Sequence, residues 1–112
     1  MVALFGLKRV SYISAAAARN YLQKGALVVD VRNAVEFRGG HLPGAVNIPL
    51  DALKVSLPER IKDKNQVLLL HCLSGTRSAF GRRILKGIGY QNVFNLGSYG
   101  RAAKILGHGQ AN

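Results

Sequence analysis

Two nearly unbroken apolar runs constrain this chain more than any other feature: Ala26-Leu27-Val28-Val29-Asp30-Val31 and Val67-Leu68-Leu69-Leu70-His71. A strand with one face in water alternates apolar and polar residues, whereas a run without alternation fits a strand covered on both faces, as in a parallel sheet. Val93-Phe94-Asn95-Leu96 reads as a third such strand. Segments of helical spacing separate the three, so the expected fold is α/β, built of right-handed βαβ units with helices on both faces of a central parallel sheet. Sheets of this kind place their sites in the crevice at the carboxyl ends of the strands.

Local signals fill in the connections. Ser14 precedes the alanine run at 15–18 and can cap a helix that continues through Arg19, Asn20, Tyr21 and Leu22 until Gly25 stops it. After the first strand, Gly39, Gly40, Pro43, Gly44 and Pro49 punctuate a loop in which residues 46–48 form a short strand. Asp51 or Ser56 is expected to open short helical turns, one of them over 57–61. Ala79, Phe80, Arg83, Ile84 and Leu85 carry helical spacing that ends at Gly87 and Gly89, and a last helix is expected over 97–106.

The 112 residues allow one compact core and one site, so a single domain is expected over 1–112, with its core at about 10–107 and loose ends at 1–8 and 108–112. No apolar stretch approaches the roughly 20 residues a membrane-crossing helix needs. Residues 1–7 are apolar, but the basic Lys8 and Arg9 follow them, the reverse of a secretory signal, and a cytoplasmic protein is expected. Sixteen Lys and Arg against five Asp and Glu give a net charge of +11, which attracts anions of every size. The basic residues are scattered from Lys8 to Lys104 without an aromatic platform, a zinc motif or a helix-turn-helix pattern, which disfavours nucleic acid as the partner.

The single cysteine excludes an internal disulfide and leaves either an inert thiol or a reactive one. Position favours the second. Cys72 directly follows a buried strand and opens the segment Leu73-Ser74-Gly75-Thr76-Arg77 that leads into a helix. Such a loop turns backbone N–H groups inward at the positive end of the helix dipole, an arrangement that stabilises a thiolate and binds anions. Gly75 permits a positive φ inside the tight loop, Ser74 and Thr76 offer hydroxyls, and Arg77 can fork to an oxyanion.

The motif Cys-x-x-Gly-x-Arg-Ser, preceded upstream by Asp30-Val31-Arg32 and by Gly40-His41-Leu42-Pro43-Gly44-Ala45-Val46-Asn47-Ile48-Pro49, resembles the rhodanese-like family over about residues 14–106. The resemblance implies a parallel sheet of about five strands flanked by helices. It also implies a sulfurtransferase: Cys72 takes sulfane sulfur from thiosulfate, releases sulfite, and hands the sulfur to cyanide or a thiol, with no metal or organic cofactor. Cys72 and Arg77 are then the catalytic candidates. Leu73, Ser74, Gly75 and Thr76 form the anion cradle, with Arg32 as a secondary substrate contact. A thioredoxin-like or sulfur-relay protein is among the candidate acceptors. Gly97-Ser98 stands where members often carry a Gly-Gly pair, and there is no tryptophan, so Ser98, Tyr99 and Ala102 are expected at the pocket wall.

Two other readings stay open. One is a persulfide relay or interaction module that is loaded by a partner protein and has little activity on thiosulfate. The other is arsenate or phosphate chemistry, which the loop disfavours: phosphatases of related folds have one residue more between cysteine and arginine than the four here. Among the bland assignments, His71 is expected to pack away from the loop, because neighbours on a strand face opposite ways. His41 is expected to hold its loop by a hydrogen bond, Asp30 and Arg32 to form an ion pair, Glu36 and Phe37 to anchor a helical turn, and Arg82, Arg83 and Lys86 to form a solvated face.

Overall fold

The structure, a computed structural model, describes residues 10–107. The expectations for the apolar start and for both loose ends fall outside the described residues.

Helix α1 (Ala15–Gln23) opens at Ser14, whose hydroxyl accepts from the Ala17 N–H, and is followed by Gly25 at φ 95°. Strand β1 (Leu27–Asp30) leads to α2 (Ala34–Arg38), which is short but held by reciprocal bonds between Asn33 and Glu36. Strand β2 (Val46–Asn47), a 3₁₀ turn at Leu50–Ala52 and helix α3 (Leu53–Arg60) follow. Strand β3 (Leu68–His71) runs through residues 72–75 into α4 (Thr76–Gly87), and β4 (Val93–Gly97) into α5 (Tyr99–Ile105).

The strands pair in the order β2-β1-β3-β4, all parallel. The unbroken apolar runs are thus the two central strands. Alternate side chains enter two cores: Val29, Val31, Leu68, Leu70 and Cys72 pack with Leu53 and Leu57 of α3 and Leu85 of α4. Val28, Leu69 and Leu96 pack with Ala18 of α1 and with Ala102 and Ile105 of α5 on the opposite face. Both faces are covered, as a parallel sheet requires.

Four strands, rather than about five, are present among the described residues. Beside β4 the chain ahead of α1 gives one bond, Ile13 N–H to the Asn95 carbonyl at 3.0 Å, in place of a ladder. Helix α3 also departs from expectation, since neither Asp51 nor Ser56 caps it. It starts at Leu53 without a side-chain cap and contains Ser56 and Pro58. Burial of Leu53 and Leu57, one turn apart on one face, decides this helix in place of a cap. The last helix is shorter than 97–106: Gly97 belongs to β4, and Ser98 caps α5 by accepting from the Arg101 N–H.

Candidate active site

Strand β3 ends one residue before Cys72, and the loop that follows folds back over the sulfur. Gly75 takes φ +100°, which an L side chain rarely adopts, and an added Cβ there would stand 2.8 Å from the Tyr12 hydroxyl. That turn points the Gly75 N–H at Cys72 Sγ, 3.0 Å away. Ser78 Oγ lies 3.5 Å from the same sulfur. The thiol is buried, and burial pushes its pKa up, but the Ser78 hydroxyl and the backbone N–H groups of Ser78, Gly75 and Ser74 together outweigh burial and leave it below the ordinary thiol value. Helix α4 begins without a side-chain cap, so its first amides remain free to face an anion. Leu73, Ser74 and Thr76 are exposed at the mouth, while Gly75 is buried. Of the four residues expected in the cradle, Ser74 and Gly75 turn backbone N–H groups toward the sulfur, and Leu73 and Thr76 stand exposed beside it.

Arg77 stands at the start of α4, and its charge is felt by a Cys72 thiolate. Both terminal nitrogens are already engaged: Nη1 donates to Glu36 Oε1 at 2.8 Å and Nη2 to Glu36 Oε2 at 2.9 Å. The Arg77 guanidinium and the Asn33 N–H hold the Glu36 carboxyl at a pKa of about 2, so the pair persists across neutral pH. Beside it an open groove of about 510 Å³ is lined by Val31, Leu50 and Ile84 together with Asp51, Lys54 and Arg77.

A family model, Rhodanese-like domain, matches residues 14–100. The chain belongs to the rhodanese-like family. This rhodanese-like chain is 35% identical over 69 residues to the thiosulfate sulfurtransferase PspE of Escherichia coli K12, an alignment covering 62% of this chain and 66% of that protein. It is 30% identical over 91 residues to the tRNA uridine(34) hydroxylase of Buchnera aphidicola, covering 77% of this chain but only 29% of the relative. The chain thus spans less than two thirds of either relative's length. A solved structure of a rhodanese with anions from E. coli superposes with a TM-score of 0.66 at 31% identity, covering 69% of this chain and 91% of that one.

In this rhodanese-like chain Arg32 is occupied elsewhere. Its side chain is almost wholly buried, pairs with Asp30 through Nε and Nη2, and donates to the Gly40 carbonyl at 2.8 Å. Its guanidinium also lies over the Tyr99 ring. The ion-pair reading of Asp30 and Arg32 therefore accounts for its contacts, and a substrate would have to displace them. His71 is buried on the side away from the sulfur, with Nδ1 donating to the Cys72 carbonyl at 3.3 Å and its ring edge to face with Tyr99. His41 Nδ1 donates to the Phe37 carbonyl at 2.9 Å, and the imidazole stacks on the Phe37 ring. Tyr99 reaches the cysteine loop by its backbone N–H, which donates to the Leu73 carbonyl, whereas Ala102 is buried in the core and lines no mouth. Arg82 is not merely solvated: its Nε donates to the Val93 carbonyl.

Three residues at the site had no assigned role in the sequence reading of the loop. Ser78 was visible as the last residue of the motif, and Asn95 as the polar interruption of an apolar strand, since a buried amide must find partners. Glu36 gave no signal toward Arg77, because the two lie 41 positions apart.

Proposed function

We propose that this chain is a sulfurtransferase of the thiosulfate type, with Cys72 as nucleophile. The observation that carries the reading is the convergence of inward N–H donors and a hydroxyl on one buried sulfur at the junction of β3 and α4. The Cys72 thiolate attacks the outer sulfur of thiosulfate; the S–S bond of the donor breaks and its electron pair leaves with sulfite. The resulting persulfide carries its negative charge on the terminal sulfur, where the amides of residues 73–77 stabilise it. Cyanide or a thiolate then attacks that sulfur, and the electron pair of the breaking bond returns to Cys72 Sγ. In this reading the guanidinium of Arg77 meets the sulfonate end of thiosulfate in competition with Glu36. Similarity to PspE supports the choice of donor.

A second reading, a persulfide relay loaded by a protein partner, is favoured by one feature. Leu73, a large apolar residue, is 58% exposed beside the nucleophile on a chain of net charge +11, as a docking surface for an acidic partner would be. Intact mass measured before thiosulfate, after it, and again after cyanide separates the two. Gain and loss of one sulfur atom, absent in Cys72→Ser, is expected; a wild-type protein that never gains sulfur from thiosulfate alone moves the relay reading ahead.

A further inference from the structure

Behind the sulfur lies a buried polar cluster of which the reaction above uses only the Ser78 hydroxyl. Ser78 Oγ has one proton and three acceptors in reach: Asn95 Oδ1 at 2.7 Å, the Gly75 carbonyl at 3.1 Å and Cys72 Sγ at 3.5 Å. Asn95, on β4 and nearly fully buried, has its carboxamide fixed from two sides. Nδ2 donates to the Gly75 carbonyl at 3.1 Å, and Oδ1 accepts from the Gly97 N–H at 2.9 Å. Turning the amide over would set its N–H₂ against the Gly97 N–H and its oxygen against the Gly75 carbonyl, so Ser78 always meets an acceptor at Asn95.

We propose that Asn95 is a positioning residue for sulfur transfer, acting through Ser78 as the resting acceptor of a hydroxyl proton that swings to Cys72 Sγ when that sulfur becomes anionic. This rests on the reading of Cys72 as a sulfur carrier. With the thiol protonated, S–H donates to Ser78 Oγ and the hydroxyl donates to Asn95. When the thiolate forms, the hydroxyl turns to sulfur, and Asn95 Oδ1 keeps the Gly97 N–H, so no buried acceptor is orphaned by the move. The same turn serves the discharge step. As the acceptor nucleophile takes the terminal sulfur, the S–S bond breaks and its electron pair goes to Sγ, where the Ser78 proton arrives. Meanwhile the Asn95 bond to the Gly75 carbonyl holds the loop that carries the Gly75 N–H.

The charged and titratable groups around the thiol and its loop are Arg77 of α4, balanced by Glu36 of α2, His71 of β3, which faces Asp30, and the Tyr12 phenol packed on Gly75. None of these touches Asn95 in the hydrogen bonds of the cluster, so a change at 95 reaches the thiol through Ser78 or through the Gly75 loop, and the double variant separates the two.

The test titrates thiolate absorbance against pH in the full chain, with Cys72→Ser as the blank for tyrosine, for wild type, Asn95→Leu, Ser78→Ala and the double variant. Asn95→Leu is expected to lower the midpoint by about one unit, because only the thiol form loses the acceptor of its Ser78 hydroxyl, whereas Ser78→Ala is expected to raise it. The double variant is expected to match Ser78→Ala alone. An unmoved or raised midpoint in Asn95→Leu, or shifts that add in the double variant, would overturn the proposal. Should the leucine variant not fold, Asn95→Ala, which also removes the acceptor, must itself lower the midpoint. The titration needs no sulfur donor, so a protein that never takes sulfur from thiosulfate would overturn the function and still decide the Asn95–Ser78–Cys72 linkage.

Discussion

Glu36 occupies Arg77, the arginine that the proposed function assigns to the donor's oxyanion, and this makes a conservative change at residue 36 unusually informative. Glu36→Gln keeps the capping box, because glutamine can also accept from and reach back to Asn33, and removes only the charge that neutralises Arg77. The pair is about a third exposed, so its loss should cost little stability, of the order of 0–1 kcal/mol. Freed of its partner, Arg77 should bind thiosulfate more tightly. A drop in KM of about fivefold, the equivalent of about 1 kcal/mol, is expected in steady-state assays, with kcat changed less. An unchanged KM would mean that Arg77 does not meet the donor. The place of Cys72 and the turn at Gly75 were legible in the sequence because their requirements are local: a thiol after a buried strand, and a turn that needs positive φ. The partners of Glu36 and Asn95 were not, because they come from distant elements and only packing brings them together.

Among the elements, α4 is the one on which the cradle depends, since its first turn supplies Arg77 and Ser78 and its inner face must lie flat on β3. Gly81 sits on that face, where an added Cβ would come within 2.9 Å of Leu70 Cδ2 and 3.0 Å of Leu53 Cδ2. Both leucines are fully buried and have little room to yield. Alanine gains about 1 kcal/mol of helix propensity over glycine, against an overpacking cost of about 1–3 kcal/mol. Gly81→Ala is therefore expected to lower Tm by a few degrees, and Gly87→Ala, where nothing stands within 4 Å, to raise it or leave it level. Equal rises in thermal melts of the two variants would show that α4 does not need this close approach to β3. The strand and helix order was readable because buried parallel strands have no polar alternation to disguise them. The start of α3 was not, because two leucines buried against the sheet, rather than any capping residue, determine where it begins.

At the scale of the whole molecule the charge balance sets how the fold meets acid. A chain of net charge +11 with five carboxylates has few anions to lose, and Glu36, held at about 2, stays ionised until the pH is far below the ordinary carboxylate range. Its contribution is present above the unfolded value of 4.5 and is lost only as pH falls toward 2. The earlier loss comes from His71. Burial holds this imidazole neutral, lowering its pKa from 6.5, and the attraction of Asp30 at 3.7 Å only partly offsets that. Below pH 6.5 the unfolded chain takes up a proton at this residue that the native protein refuses, so stability must decline as pH falls from 7 to 5, by up to about 1.4 kcal/mol per pH unit for one proton. His71→Asn retains an N–H donor for the Cys72 carbonyl and cannot titrate, so urea unfolding at several pH values should give it a flatter slope than wild type over that range. The groups common to both proteins cancel in that comparison. Identical slopes would place a charged imidazole in the native core, balanced by Asp30, at the end of the strand that leads into Cys72.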